Sequence, residues 1–201
     1  MHGSQITSRI TSEEKSTLRT YIWMVLAVAM TAGLLYFFLL EKKQQKETFG
    51  FDPNRPIPTD EVLKGRLKAE QYSIVRGNNN ETPFQNDYWN NTRTGLYVDV
   101  IDGEPLFTSL AQYDNGLGIP AFSEPISKDS LVERLDTSEG MQRTEVRAKR
   151  CNARLGYLFA DPKNSPTGQC YSIYSAALNF IPKDEMKEKG YESYLSLFAK
   201  K

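Results

Sequence analysis

From residue 21 to residue 40 the chain reads YIWMVLAVAMTAGLLYFFLL, without a single charge. A helix rises about 1.5 Å per residue, so this run covers roughly 30 Å, the thickness of a bilayer's hydrocarbon core. Tyr21 and Trp23 stand at one end and Tyr36 near the other, where the amphipathic rings of a spanning helix settle at the two interfaces. Arg19 bounds the run on one side, and Glu41, Lys42 and Lys43 bound it on the other. The segment is apolar all round, whereas a surface helix of a soluble domain is apolar on one stripe. The competing reading is a cleaved signal peptide, whose apolar stretch is roughly 7–15 residues and ends at a small-residue cleavage site. This run is longer and is followed by EKKQQKE. The pattern predicts a retained single-pass transmembrane helix over residues 21–40, in contact with lipid.

The remaining segments differ in texture. Residues 1–20 are polar and Ser/Thr-rich, and read as a flexible arm. Residues 41–59 continue polar and then carry Pro53, Pro56 and Pro58, which remove backbone donors and favour extended chain, so a semi-rigid stalk is expected. Asp60 is placed to cap a short helix through EVLKGRLKAEQY, with Val62, Leu63 and Leu67 near one face. Beyond it the period shortens. TGLYVDVIDG alternates apolar and polar positions and ends on the turn pair Asp102-Gly103, and PLFTSL follows. QRTEVRAK, RLGYLFAD and CYSIYSAALNFIP come later, separated by turn clusters such as DPKNSPTG. Short strands with turn punctuation and few helices predict a mainly β domain over residues 60–182, built antiparallel. In the tail, residues 183–201, Tyr191, Tyr194, Leu195 and Phe198 recur at helical spacing. They predict a short amphipathic helix that packs on its own domain or docks to a partner.

Composition changes this picture in two places. The 201 residues hold 25 Lys+Arg and 25 Asp+Glu, so the chain lacks the basic surplus of a nucleic-acid-binding protein and no nucleic acid is expected. Arg9, Lys15 and Arg19 before the apolar run are matched by Lys42, Lys43 and Lys46 after it, so the flanks assign no sidedness. Two cysteines, Cys151 and Cys170, are too few for a disulfide scaffold or an all-cysteine zinc site, and their pairing with each other is left open.

Seven motifs occur in order: NETPF (Asn80 to Phe84), YVDVIDGEPLF (Tyr97 to Phe107), YDNGLGIPAF (Tyr113 to Phe122), GMQRTEVR (Gly140 to Arg147), RLGYLF (Arg154 to Phe159), PTG (Pro166 to Gly168) and SAALNFIP (Ser175 to Pro182). In order and spacing this series resembles the B-type methionine sulfoxide reductases, which reduce the R epimer of methionine sulfoxide in proteins. The resemblance implies two antiparallel β-sheets with few helices.

It also implies a catalytic cysteine in a strand after the PTG turn, and Ser172 stands at that position. The reaction needs a thiolate to attack the sulfoxide sulfur and to leave as a sulfenic acid that a second thiol reduces. A serine alkoxide is scarcely populated near neutral pH, and oxygen has no stable counterpart of the sulfenic state. Where the family commonly has two histidines, this chain has Arg154 and Tyr157. Its segment with a resolving cysteine and a substrate-cradling tryptophan is Gly116-Leu117-Gly118-Ile119, and the asparagine two residues after the nucleophile is Tyr174. The four zinc ligands of metal-bearing members fall on Asp99, Asp102, Ala148 and Cys151, so no metal and no cofactor are expected. Cys170 lies two residues before Ser172 and, in a strand, points to the same face, about 7 Å away. It is a candidate relocated thiol, with Arg154 as the group that would lower its pKa.

These substitutions point first to a catalytically inactive structural or binding module, held at a bacterial or mitochondrial inner membrane as an accessory subunit with protein partners. A peptide-methionine (R)-S-oxide reductase working through Cys170 is the second reading. A binder of oxidised methionine that does not reduce it is the third, weakened by Ile119 in place of an aromatic ring.

Overall fold

The computed structural model describes residues 12–47 and 50–199, in two compact units that divide between Phe49 and Gly50. Residues 1–11 of the expected arm, 48–49 of the expected stalk and 200–201 of the tail lie outside the described residues.

The first unit is one helix, α1 (Ser12–Glu47). It outruns the apolar segment at both ends, so parts of the expected arm and stalk are helical. The physical reason is composition: SEEKSTLR and EKKQQKE are rich in good helix formers and free of Gly and Pro. Over Thr17–Leu39 the helix is long and apolar enough to cross a membrane, a test that a signal sequence near an N-terminus also passes.

The second unit begins with two short helices, α2 (Asp60–Arg66) and α3 (Ala69–Val75), where the sequence suggested one. Leu67 and Lys68 are extended and break the helix, and Gln71 accepts the Lys68 N–H to restart it at 3.1 Å. Thr59, not Asp60, occupies the N-cap position, and Asp60 lies inside the first turn. The buried face is Leu63, Leu67, Ile74 and Val75, while Val62 is exposed.

Among the described residues nine strands follow: β1 (Gly95–Asp99), β2 (Pro105–Thr108), β3 (Gln112–Tyr113), β4 (Ala121–Phe122), β5 (Leu131–Asp136), β6 (Arg143–Ala148), β7 (Arg154–Ala160), β8 (Gln169–Ile173) and β9 (Leu178–Pro182). They form a three-stranded sheet in the order β2-β1-β9 and a six-stranded sheet in the order β3-β4-β8-β7-β6-β5, antiparallel throughout. The main core lies between them. Tyr97 and Phe107 of the smaller sheet meet Phe122, Leu155, Tyr171 and Ile173 of the larger, with α2 and α3 contributing Leu63, Ile74 and Val75. Phe107 stacks on Phe122 at 4.5 Å between centroids, and Tyr97 meets Phe122 edge-on at 4.9 Å.

The alternation in β1 predicted one wet face, but every residue of the strand is buried. Its second face, carrying Leu96 and Val98, is covered by Met186, Tyr191 and Phe198 of the tail. The tail segment Glu192–Phe198 is a 3-10 helix, and it packs on its own domain.

Candidate functional site

Strand β8 carries Ser172, the position that the resemblance matches to the family's nucleophile. Tyr171 and Ile173 point into the core, so Ser172 and Cys170 share the opposite face. In register, Ser172 lies opposite Tyr157 of β7 and Ala121 of β4. Gly156 lets the strands approach: a Cβ there would meet the Ser172 carbonyl oxygen at 2.1 Å. The loop holding Gly116, Leu117, Gly118 and Ile119 leads to Pro120, whose carbonyl accepts the Ile173 N–H at 2.9 Å. Ile119 therefore sits one residue from the backbone contact next to Ser172, and is half-buried.

Arg154, Tyr157 and Tyr174 come together. The Arg154 guanidinium donates through Nη2 to Tyr157 Oη at 2.9 Å, Tyr174 Oη at 3.3 Å and Asn80 Oδ1 at 2.9 Å. Its Nε pairs with Glu145 Oε1 at 3.0 Å, and Nη1 donates to the Asn79 carbonyl at 2.7 Å. Tyr174 donates to Asn80 Oδ1 at 2.7 Å, and Tyr157 donates to Asp136 Oδ2 at 2.9 Å. The Tyr157 ring also lies under two cations, 4.5 Å from Arg143 and 5.3 Å from Arg154. Arg154, Tyr157 and Tyr174 are 3%, 7% and 6% exposed, so these three are buried, while Asn79 and Asn80 at the edge of the network are exposed. Burial pushes the Tyr174 hydroxyl up to about 12, against the pull of Arg154. For Arg154 burial opposes the charge, but Tyr174, Tyr157 and Glu145 outweigh it and hold the guanidinium above its ordinary value. All three side chains stay in their ordinary neutral-pH forms, and the cluster offers no proton near pH 7.

Cys170 lies apart from that network. It is 2% exposed, sits opposite Phe159 in the register and accepts a hydrogen bond from Asn115 Nδ2 at 3.4 Å. The expected pairing with Arg154 is not formed; that guanidinium is bonded instead to Glu145, Asn79, Asn80, Tyr157 and Tyr174. Cys151 and Cys170 are both free thiols.

Three of the four zinc positions also converge. Asp99, Asp102 and Cys151 bring their ligand atoms within 4.8 Å of one another, all buried. The donor set does not fit the family's zinc. Ala148 supplies no ligand, and Arg150 Nη1 holds Asp102 Oδ2 at 2.8 Å. The Asp99 carboxylate accepts from the Ile101 N–H at 2.7 Å and from the Cys151 thiol at 3.3 Å. Burial raises Asp99 to about 7, and burial followed by the two aspartates raises the Cys151 thiol well above its usual value. A protonated thiol, an engaged carboxylate and a resident guanidinium make a poor cation site.

Three residues went unnoticed in the sequence: Asn80, Glu145 and Glu81. Glu81 caps the turn after Tyr174, its two oxygens accepting from the N–H groups of Ser175 at 2.7 Å and Ala176 at 2.6 Å. The available signal was a carboxylate and an amide side by side in NETPF, a motif read above as a whole.

The SelR domain family model matches residues 67–182. Over 141 residues, 70% of this chain, it is 43% identical to a protein of Vibrio cholerae named peptide methionine sulfoxide reductase MsrA/MsrB. The match takes up 37% of that relative's length, so the chain spans well under half of it. By this match, together with its two antiparallel sheets and the motif series they carry, the chain belongs to the B-type methionine sulfoxide reductase family.

Proposed function

We propose that this chain is a membrane-anchored, non-catalytic member of its family, working as a structural or binding module and as an accessory subunit of a complex in a bacterial or mitochondrial inner membrane. One observation carries the reading. Ser172 stands at the nucleophile position, and the residues at the family's histidine and asparagine positions are buried in a hydrogen-bonded cluster of Arg154, Tyr157, Tyr174 and Asn80. Such a cluster has its polar groups satisfied internally, and a substrate would have to displace bonds that the fold already makes. The apolar run of α1 supports the anchor, since it exceeds a secretory core in length.

The second reading is a peptide-methionine (R)-S-oxide reductase that uses Cys170. The name of the Vibrio relative favours it, as does the placement of Cys170 on the Ser172 face. Against it stand the burial of the thiol and the distant commitment of Arg154.

The deciding experiment is turnover of a peptide methionine-R-sulfoxide by the full chain in detergent micelles with excess dithiothreitol, beside an active relative. The expected result is a rate equal to the buffer blank. Turnover that disappears in Cys170→Ser would replace the first reading with the second.

A further inference from the structure

The corner where the resemblance expects zinc holds a cation of the chain's own, and that cation reaches further than a metal would. Arg150 pairs with Asp102 through Nη1 at 2.8 Å. Its Nε and Nη2 donate to the Pro53 carbonyl at 3.3 and 3.1 Å, and Nη2 also donates to the Arg55 carbonyl. The guanidinium lies 5.6 Å from the centre of the Phe51 ring. Arg55 in turn donates to the Gly50 carbonyl at 3.3 Å. On either side of these bonds apolar side chains are tucked in: Phe51 packs against the cluster beneath the tail and Ile57 against the main core.

The geometry points to a latch: Arg150 takes the place of the family's metal and fastens residues 51–57, the segment expected as a free stalk, onto the domain. The chemistry explains why the exchange has this consequence. A metal bound by four protein ligands spends its coordination inside the corner and has nothing left for a neighbouring segment. A guanidinium carries five N–H donors in a rigid fork, so it neutralises Asp102 on one side and still holds two carbonyls on the other. Pro53 suits the strap, because it stands in a turn closed by the Arg55 N–H on the Asp52 carbonyl at 3.1 Å, which leaves the Pro53 and Arg55 carbonyls to accept from Arg150. Lysine could not do the same, having one point of charge and no fork. The inference stands apart from the question of turnover.

The test is limited chymotrypsin digestion of the full chain in detergent micelles, following cleavage after Phe51 relative to cleavage after Phe159, an exposed site in β7, by mass spectrometry. In the wild type, Phe51 is expected to be cleaved far more slowly than in the chain unfolded by urea. In Arg150→Ala and in Arg150→Lys, the Phe51:Phe159 ratio is expected to rise at least about ten-fold, since local opening follows the bonds that hold a segment down. Arg150→Lys keeps a charge against Asp102 and decides the matter if Arg150→Ala does not fold. A folded variant with the wild-type ratio, or a wild type cleaved at Phe51 as fast as the unfolded chain, overturns the latch.

Discussion

Glu81 is 7% exposed, and both of its carboxylate oxygens accept backbone N–H groups of the turn after Tyr174. Burial nonetheless dominates and raises the carboxyl from 4.5 to about 7. The folded chain therefore holds a proton here between those values that the unfolded chain has released. Stability from this group is present below about 4.5 and falls as pH rises through 7; Asp99, raised from 3.8 to about 7, acts in the same direction. Asp136, by contrast, is held down by Ser138 and Tyr157, so its contribution disappears only in strong acid. The urea midpoint is thus expected to be higher at pH 5 than at pH 8, and Glu81→Gln, neutral at both, should shrink the difference. A midpoint that climbs between pH 5 and pH 8 would contradict this assignment. None of it was visible from composition, because an acidic residue in a motif carries no mark of its burial.

At the scale of elements, the pairing of β7 with β8 sets up the candidate site. It brings Tyr157 opposite Ser172 and Phe159 opposite Cys170. That pairing depends on Gly156, where the backbone of β8 approaches too closely for any side chain and φ is +154°. Gly156→Ala is expected to cost roughly 3 kcal/mol or more, since the added carbon meets main chain and neither strand can move without losing its ladder. Equilibrium unfolding in urea reads it directly, and a change under about 0.5 kcal/mol would mean that the strands part easily there. The strands were legible from their alternation and turn punctuation: β1, β2, β6, β7 and β9 fall within the segments marked out, and β8 begins one residue before its own. The two-residue strands β3 and β4 carry too few positions to show a period, and β5 was missed because its LVERLD stretch mixes charge with apolar residues at an exposed edge. The single helix expected after Asp60 became two, because Leu67 and Lys68 adopt extended backbone between them.

At the scale of the whole molecule, the strap alters what counts as the domain. A soluble piece beginning at Gly50 keeps Phe51, Arg55 and the carbonyls that Arg150 holds; one beginning at Pro56 discards them. The shorter piece is expected to unfold at a lower urea concentration, by about 1–3 kcal/mol, from the loss of charge-assisted hydrogen bonds and the half-buried Phe51 ring. Equal midpoints would argue that the strap adds no stability. If α1 is the anchor proposed above, the full chain should stay with membranes through alkaline carbonate extraction while the piece from Gly50 is released. Recovery of the full chain in the soluble fraction would count against the anchor.

The sequence by itself determined the long apolar helix, the β character of the domain and, through ordered motifs, its family, because length, period and spacing are properties of the chain read locally. It also set Ser172 where the family resemblance expects the nucleophile, since a residue type can be judged wherever its motif places it. Only the tertiary structure decided which side chains at the other matched positions meet. Arg154, Tyr157, Tyr174 and Asn80 lie as far as 94 positions apart, and their hydrogen bonds exist because two strands and a loop converge. The same holds for Arg150, whose 95 positions of separation from Arg55 hide a latch that no local pattern encodes. Burial and long-range pairing belong to the folded packing, and with them came both the polar network around Arg154 and the fastening of the stalk.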